Sequence, residues 1–226
     1  IRVQDQALEA LQAALGSDHQ RTIVALSNAA AFKRTLGDWK SAARDFRDLL
    51  ERQTRLQGPD HPVTARVMVQ LATALLEQGV GSPDNPVLVE ADTLFRRALG
   101  IFEAQLGPAH PQVGVTLSGL GVVQNERTLL QDALATQTRA VAVLRAALGD
   151  ANQNTAVAVE RLAIAHWRLG APAEAIRLQR EVLGSLLAVA GPKHQETARA
   201  QATLCSYLAW QREALEEAQR LCTDAL

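Results

Sequence analysis

A short glycine-containing motif returns along the chain at a nearly constant interval. Its glycines are separated by 42, 49, 42 and 42 residues, at Gly16, Gly58, Gly107, Gly149 and Gly191. A fixed interval of roughly 20 to 50 residues is the signature of a repeat protein, in which each unit must pack against its neighbours to bury its apolar face. The chain is therefore predicted to be a row of similar units.

A second glycine divides three of these units into two segments of helical length, which we name helix A and helix B. It follows the first glycine by 21 residues, at Gly37, Gly79 and Gly170. We expect these glycines to adopt the left-handed conformation that ends a helix. Proline at a first helical position, as expected for Pro62 and Pro111, has a φ suited to starting the next helix.

Apolar residues follow the period of an α-helix within these segments. The first helix B carries Ala42, Phe46 and Leu49 on one face. A small residue recurs at one equivalent position of helix B, at Ala42, Ala91, Ala133 and Ala175. Only 4% of the residues are aromatic, which favours close-packed helices over a β-sandwich. We predict an all-α protein, a right-handed α-solenoid of antiparallel helix pairs.

The predicted boundaries make one solenoid of residues 1–226. Residues 1–15 are expected to form the helix B of a truncated repeat, and five repeats follow, at 16–57, 58–106, 107–148, 149–190 and 191–226. The second repeat carries an insert at 80–86, which either decorates a binding face or is a tolerated change of loop length. Neither end shows a polar capping helix, so we expect a piece of a longer protein or its ordered part.

The junctions and one helix B resemble a known family. The junctions at His61 and His110 closely match the pattern Leu-Gly-x-x-His-Pro, and residues 97–101 closely match an Arg-Ala-Leu helix B. On these residues the chain is similar to tetratricopeptide repeat proteins of the long, 42-residue type, typified by kinesin light chain. The resemblance implies a helical scaffold that binds a peptide or protein in a concave groove lined by helix A.

The sequence departs from the family at positions that matter for binding. In the family, Asn residues of an Asn-Asn-Leu-Ala stretch in helix A line the groove and hold the peptide backbone. Only Asn28 carries over to this chain. Thr128 replaces the second glycine in the third repeat, and the fifth repeat fits only with a one-residue slippage near Arg212. The resemblance therefore implies the scaffold and not kinesin-type cargo recognition.

Residues at four-, three- and four-residue steps along helix A should face the groove. There, valines, Gly119 and Ile164 would form an apolar floor edged by arginines, which can hold a carboxylate in a bidentate fork. In the alternative interpretation, the apolar residues pack against neighbouring helices and the arginines are solvated or paired with Glu77 and Glu126. The candidate peptide-binding residues are Asn28, Arg66, Gln70, Thr73, Val115, Gly119, Val122, Val157, Arg161, Ile164, Arg168 and Arg199.

Histidines occur once per junction, but a metal array is not expected. Residues about one repeat apart cannot converge on one ion, and Asn152 at the fifth junction indicates a capping or turn role. The four histidines are His19, His61, His110 and His194. Phosphate-binding loops and hydrolase motifs are also missing from the sequence. We therefore predict no enzyme, no catalytic residue, no metal and no cofactor.

Charge and cysteine content limit the partners and the compartment. The formal net charge is −1, so the chain lacks the basic surface that nucleic acids or anionic membranes require. No apolar run approaches the roughly 20 residues of a membrane-spanning helix. Cys205 and Cys222 lie outside any metal-binding spacing, and two free thiols would fit a reducing compartment. We expect a protein or peptide partner and a cytoplasmic location.

The leading functional interpretation is an interaction scaffold that binds a peptide or protein in its concave groove. Two alternatives stay open. The chain could be the sensor or autoinhibitory arm of a larger signalling enzyme, a nucleotide-dependent switch or a protease, with a partner domain in the same polypeptide. It could also assemble with itself through its uncapped terminal faces.

Overall fold

The computed structural model describes residues 2–79, 83–211 and 215–224. This part of the chain forms eleven helices and contains no strand, which confirms the predicted all-α class. None of its helices is both long and apolar enough to cross a bilayer. The helices are α1 (Arg2–Leu15), α2 (Gln20–Thr35), α3 (Trp39–Gln57), α4 (Pro62–Gly79), α5 (Pro86–Leu106), α6 (Pro111–Glu126), α7 (Leu130–Leu148), α8 (Gln153–Arg168), α9 (Pro172–Val189), α10 (Gln195–Gln211) and α11 (Leu215–Asp224).

The chain divides into two compact units, and we describe each by itself. The N-terminal unit comprises residues 1–108 and 126–128, and the C-terminal unit comprises residues 109–125 and 129–226. In the first, helices α1 to α5 pack against one another in chain order, and in the second, helices α7 to α11 do the same. Helix A of the five predicted repeats corresponds to α2, α4, α6, α8 and α10. The single solenoid with its repeat boundaries stays a prediction.

The recurring glycines end helices as expected, with one exception. Seven of them have φ between 77° and 95°, the left-handed region that favours glycine. The prediction for Gly79 is wrong, because this residue is the buried last residue of α4 and lies outside that region. A Cβ at Gly79 would lie 2.8 Å from Cδ2 of Leu88. Its small size therefore serves the close packing of α4 on α5.

Thr128 adopts the glycine conformation that its position in the repeat requires. Its φ is 59°, and it is the only residue other than glycine with a positive φ in the described part of the chain. A β-branched residue in this region carries a backbone cost on the order of 1 kcal/mol. The slippage expected near Arg212 and residues 80–82 of the insert lie outside the described residues. Asn85 and Pro86 of the insert start α5, where the Asn85 side chain accepts the backbone N–H of Val87.

The junction histidines cap helix A, which confirms their predicted role. Nδ1 of each histidine accepts a hydrogen bond from the backbone N–H two residues later, and Oδ1 of Asn152 does the same at 2.9 Å. The distances are 3.2 Å for His19, 3.2 Å for His61, 3.1 Å for His110 and 3.3 Å for His194. Each cap satisfies one of the backbone donors left open at a helix N-terminus.

Replacing His110 tests the value of one cap. His110→Ala removes the acceptor for the backbone N–H of Gln112, so we expect the free energy of unfolding to fall by about 1 kcal/mol. His110→Asn should keep most of the stability, because Asn152 makes the same bond one repeat later. Urea denaturation of the three proteins measures the difference. Equal losses in both variants would show that the bond contributes little.

A threonine six residues after the junction glycine forms a second local contact, which the sequence analysis missed. Its hydroxyl donates to the carbonyl oxygen of that glycine at 2.8 Å in three repeats. The pairs are Thr22 with Gly16, Thr64 with Gly58, and Thr197 with Gly191. Thr155 occupies the same place in a fourth repeat, but its buried hydroxyl has no partner among the described residues.

Cys205 and Cys222 form a disulfide, so the prediction of two free thiols is wrong. Cys205 is buried in α10, Cys222 is exposed on α11, and their Cα atoms are 5.5 Å apart. Helices α10 and α11 pack against each other, and this pairing brings together two residues that lie 17 positions apart in sequence. Disulfides persist mainly in oxidising compartments, so the cysteines no longer support a reducing one.

Candidate functional site

The candidate residues of helix A lie at the surface. Each is exposed or half-buried, and none is fully buried. In the N-terminal unit, Asn28 and Arg66 are exposed, whereas Gln70 and Thr73 are half-buried. In the C-terminal unit, the residues form what we call the helix-A face: Val115, Gly119 and Val122 of α6, Val157, Arg161, Ile164 and Arg168 of α8, and Arg199 of α10.

Few candidates of the N-terminal unit are engaged by other side chains. Arg66 has no hydrogen-bond or ion-pair partner among the described residues. Glu77, which the alternative interpretation pairs with the candidate arginines, accepts instead from Nη1 of Arg34 at 3.0 Å. The hydroxyl of Thr73 donates to the backbone oxygen of Val69 at 2.8 Å. These contacts do not bring the four candidates together around a cavity.

Three candidates of the C-terminal unit line one small cavity. Its volume is about 120 Å³, and we call it the Arg161 cavity. Val115 of α6 and Val157 of α8 give it apolar walls, and Arg161 supplies a positive charge. Its lining is completed by Ser118, Leu144 and Asn154. The cavity therefore combines apolar surface with polar groups and one cation, as ligand-binding pockets commonly do.

Arg161 carries its charge in a desolvated place without forming an ion pair among the described residues. Its Nη1 donates to the hydroxyl of Ser118 at 2.9 Å, and no carboxylate forms an ion pair with it among the described residues. Burial lowers the pKa of Arg161, and the charge of Glu160 only partly offsets that effect. A positively charged group in such a place is stabilised when an anion approaches.

Arg199, in contrast, is already paired with carboxylates of its own unit. Its Nη1 and Nη2 donate to the two oxygens of the buried Glu160, each at 2.9 Å. Its Nη2 also donates to Glu196 at 2.7 Å. Burial acts to lower the pKa of Arg199, but the hydrogen bonds and charges of Glu196 and Glu160 raise it overall. Arg161 is therefore the better candidate for an external carboxylate.

An aromatic cluster lies between the ends of α8 and α10. Trp167 stacks on Tyr207 with ring centroids 4.2 Å apart, and Trp167 and Trp210 form an edge-to-face pair with ring centroids 5.3 Å apart. Burial and the charge of Glu160 raise the pKa of Tyr207 to about 12. Trp210 is 74% exposed, and it follows the same helical steps as the candidates. The two tryptophans occupy nearly equivalent positions of successive helices A, a signal that the sequence already contained.

Family models match two segments of the chain. Models of the tetratricopeptide repeat match residues 21–79 and residues 155–196. These segments are tetratricopeptide repeats. The first contains the four candidates of the N-terminal unit, and the second contains Arg161 and the other candidates of α8. The resemblance inferred from the junctions and helix B is thereby confirmed. No curated protein matches the sequence significantly.

Solved structures are similar to nearly the whole chain. A kinesin light chain protein of Podosopora anserina, with nearly identical TPR-like repeats, has a TM-score of 0.72 at 19% identity, covering 92% of this chain and 94% of that one. BtubC (BKLC) from P. vanneervenii has a TM-score of 0.76 at 14% identity, covering 99% of this chain and 87% of that one. At these identities the likeness shows the fold alone, a tetratricopeptide repeat α-solenoid.

Proposed function

We propose that the chain is a protein–protein interaction scaffold, which binds a peptide or protein segment on the helix-A face of its C-terminal unit. Tetratricopeptide repeats generally mediate protein interactions, and the matched segments carry such repeats. Their fold typically serves as a non-enzymatic scaffold, and we assign no catalytic residue and no cofactor. The partner is a polypeptide rather than a nucleic acid or a membrane, because the net charge is close to zero.

The environment of Arg161 is the main support for this proposal. Its guanidinium is partly desolvated and bonded to one neutral hydroxyl, with the Arg161 cavity beside it. A carboxylate of an incoming Asp or Glu side chain would receive charge-assisted hydrogen bonds. Such bonds contribute roughly 1.5–3 kcal/mol each. The partner is therefore expected to be acidic at this position.

The apolar surroundings of Arg161 define the rest of the ligand. Val115 and Val157 line the cavity, and Ile164 lies one helical turn further along α8 with more than a third of its surface exposed. Apolar side chains of a partner would remove this surface from water. We expect a segment in which a carboxylate is flanked by aliphatic or aromatic anchors. The binding surface would then resemble the helix-in-groove or extended-peptide modes of recognition.

A cytoplasmic location stays a prediction. The disulfide between Cys205 and Cys222 removes the argument from free thiols, and the charge and hydropathy of the chain do not distinguish compartments. The scaffold function does not depend on this question, because the helix-A face and the disulfide involve different residues.

A selection from a random peptide library tests the proposed function. Peptides that bind the full chain are expected to be enriched in Asp or Glu next to apolar residues, with Kd values around micromolar. Arg161→Gln should weaken the best peptide about tenfold or more, corresponding to a loss of roughly 1.4 kcal/mol. Arg177→Gln is the matched control, because Arg177 is exposed on helix B and pairs with Glu174.

Thermal unfolding separates a binding role of Arg161 from a structural one. Removing a desolvated cation that has no carboxylate partner should leave the melting temperature of Arg161→Gln unchanged or higher. Unchanged peptide affinity in this variant, or a tenfold loss in Arg177→Gln as well, would contradict the assignment of the helix-A face.

A further inference from the structure

A second opening lies at the junction edge of the C-terminal unit. Its volume is about 230 Å³, and we call it the junction cleft. It opens where α8 begins, α9 ends and α10 begins. It shares no lining residue with the Arg161 cavity. Its lining includes Ala156, Ser185, Leu186, Val189, Ala190 and His194.

The preceding repeat carries larger side chains at two of these positions. Counting back 42 residues, Ser185 corresponds to Val143 and Ala190 corresponds to Leu148. Val143 and Leu148 are half-buried in the structure, and Leu148 packs against the core of the unit. At these two positions the repeat that forms the cleft therefore lacks aliphatic volume that its neighbour supplies from its own chain. Val189, which is larger than the corresponding Ala147, is the opposite case.

A third difference keeps α9 from closing the cleft. The preceding repeat has Gly114 where this one has Ala156. A Cβ at Gly114 would lie 2.6 Å from Cγ of Leu144, so glycine is what lets that leucine approach α6 and become fully buried. Ala156 carries this Cβ, and the corresponding Leu186 is only half-buried and lines the cleft. The Cβ of Ala156 therefore keeps Leu186 from approaching α8 as closely as Leu144 approaches α6.

The polar groups around the cleft include a carboxylate that is already paired and an imidazole. Glu196 accepts from the guanidinium of Arg199 at 2.7 Å. Nδ1 of His194 accepts the backbone N–H of Glu196, which leaves the Nε2–H group as a donor for an external acceptor. At the rim, Val189 is 64% exposed. The cleft therefore suits an uncharged apolar group attached to a hydrogen-bond acceptor.

We propose that the junction cleft receives a leucine-like aliphatic side chain from a partner polypeptide. The preceding repeat shows what fits this place, since Val143 and Leu148 supply aliphatic groups at the equivalent positions. The backbone carbonyl of the incoming residue would accept the Nε2 proton of His194. This second anchoring point lies outside the helix-A face, so a partner could contact both surfaces or either one alone.

The test uses N-acetyl-leucine amide as the probe and the full chain as the protein. Titration is followed through the methyl resonances of Leu186 and Val189 by NMR. We expect saturable shifts with a Kd in the millimolar range, and at least tenfold weaker binding of N-acetyl-alanine amide. In Ser185→Val/Ala190→Leu, which restores the residues of the preceding repeat, the leucine probe should bind at least tenfold more weakly. Gly184→Ala is the control, because a Cβ there meets no atom within 4 Å.

Several outcomes would overturn this proposal. They are the absence of saturable shifts, equal binding of the alanine probe, and full binding in the filled variant. If the double variant does not fold, the leucine probe is titrated against Ala190→Leu alone, and weaker binding is again expected. The molecular mass in solution could also rise with protein concentration, and the filled variant could abolish that rise. The occupant would then be a second copy of this chain, and the proposal would be rejected. Arg161→Gln should leave probe binding unchanged, so this test and the test of the helix-A face fail independently.

Discussion

Asp45→Ala is expected to lower the free energy of unfolding by about 3 kcal/mol or more. Oδ2 of Asp45 on α3 lies 2.7 Å from Nζ of Lys33 on α2, and their side chains are only 12% and 10% exposed. Asp45→Ala removes this carboxylate and its 2.7 Å hydrogen bond from a largely buried place, and breaking a buried ion pair commonly costs about 3–5 kcal/mol. The loss should appear in urea denaturation as a lower midpoint with little change in slope.

An exposed ion pair of the same unit gives the matched control. Arg47 donates to both oxygens of Glu90 at 2.7 and 3.2 Å, but the two side chains are 46% and 41% exposed. Glu90→Ala should therefore cost less than about 1 kcal/mol. Replacing both buried partners, as in Lys33→Met/Asp45→Leu, should recover much of the stability lost in Asp45→Ala. Similar losses in Asp45→Ala and Glu90→Ala would contradict the assigned burial.

Gly121→Ala is expected to destabilise the C-terminal unit by about 2 kcal/mol, within the range found for overpacked cores. A Cβ at Gly121 on α6 would lie 2.5 Å from Nε2 and 2.7 Å from Cδ of Gln137 on α7. Gln137 is fully buried, and its Nε2 donates to the backbone oxygen of Ser118 at 3.0 Å. Its side chain therefore cannot yield without breaking a buried hydrogen bond.

Gly184→Ala in the same unit should have the opposite effect. Gly184 is helical and exposed, and a Cβ there meets no atom within 4 Å. Alanine is preferred over glycine in a helix interior by roughly 0.5–1 kcal/mol, so the free energy of unfolding should rise. Denaturation curves of the two variants measure both signs in one experiment. A gain of stability in Gly121→Ala would show that α6 and α7 are not packed as closely as described.

The features that depend on neighbouring residues could be predicted from the sequence. Junction glycines such as Gly58 end helices, and His61 caps the following helix, because these roles are set within a few residues. Features set by contact between helices were missed or misread. Gly79 serves the packing of α4 on α5, and the Cys205–Cys222 disulfide depends on how α10 pairs with α11. The hydrophobic period of one helix does not show how that helix is aligned against its neighbour.

In the candidate site, too, features set within one helix could be predicted and contacts between helices could not. The helical steps along helix A select residues that reach the surface, because exposure follows from the phase of one helix. They do not reveal that Arg199 is held by Glu160, or that Arg161 has only the hydroxyl of Ser118. These partners lie about one repeat away in sequence. Their contacts depend on side-chain conformations in two stacked helices, which periodicity does not describe.

The side-chain Nε–Hε resonance of Arg161 gives the most direct measurement of the proposed binding surface. It is to be followed by NMR while the full chain is titrated with the tightest acidic peptide from the library. Engagement of a carboxylate should shift this resonance with the same Kd as the overall binding curve, and replacing the peptide carboxylate by an amide should remove the shift. A peptide that binds at full affinity while the Arg161 resonance stays unchanged would contradict the proposed binding of a carboxylate by Arg161.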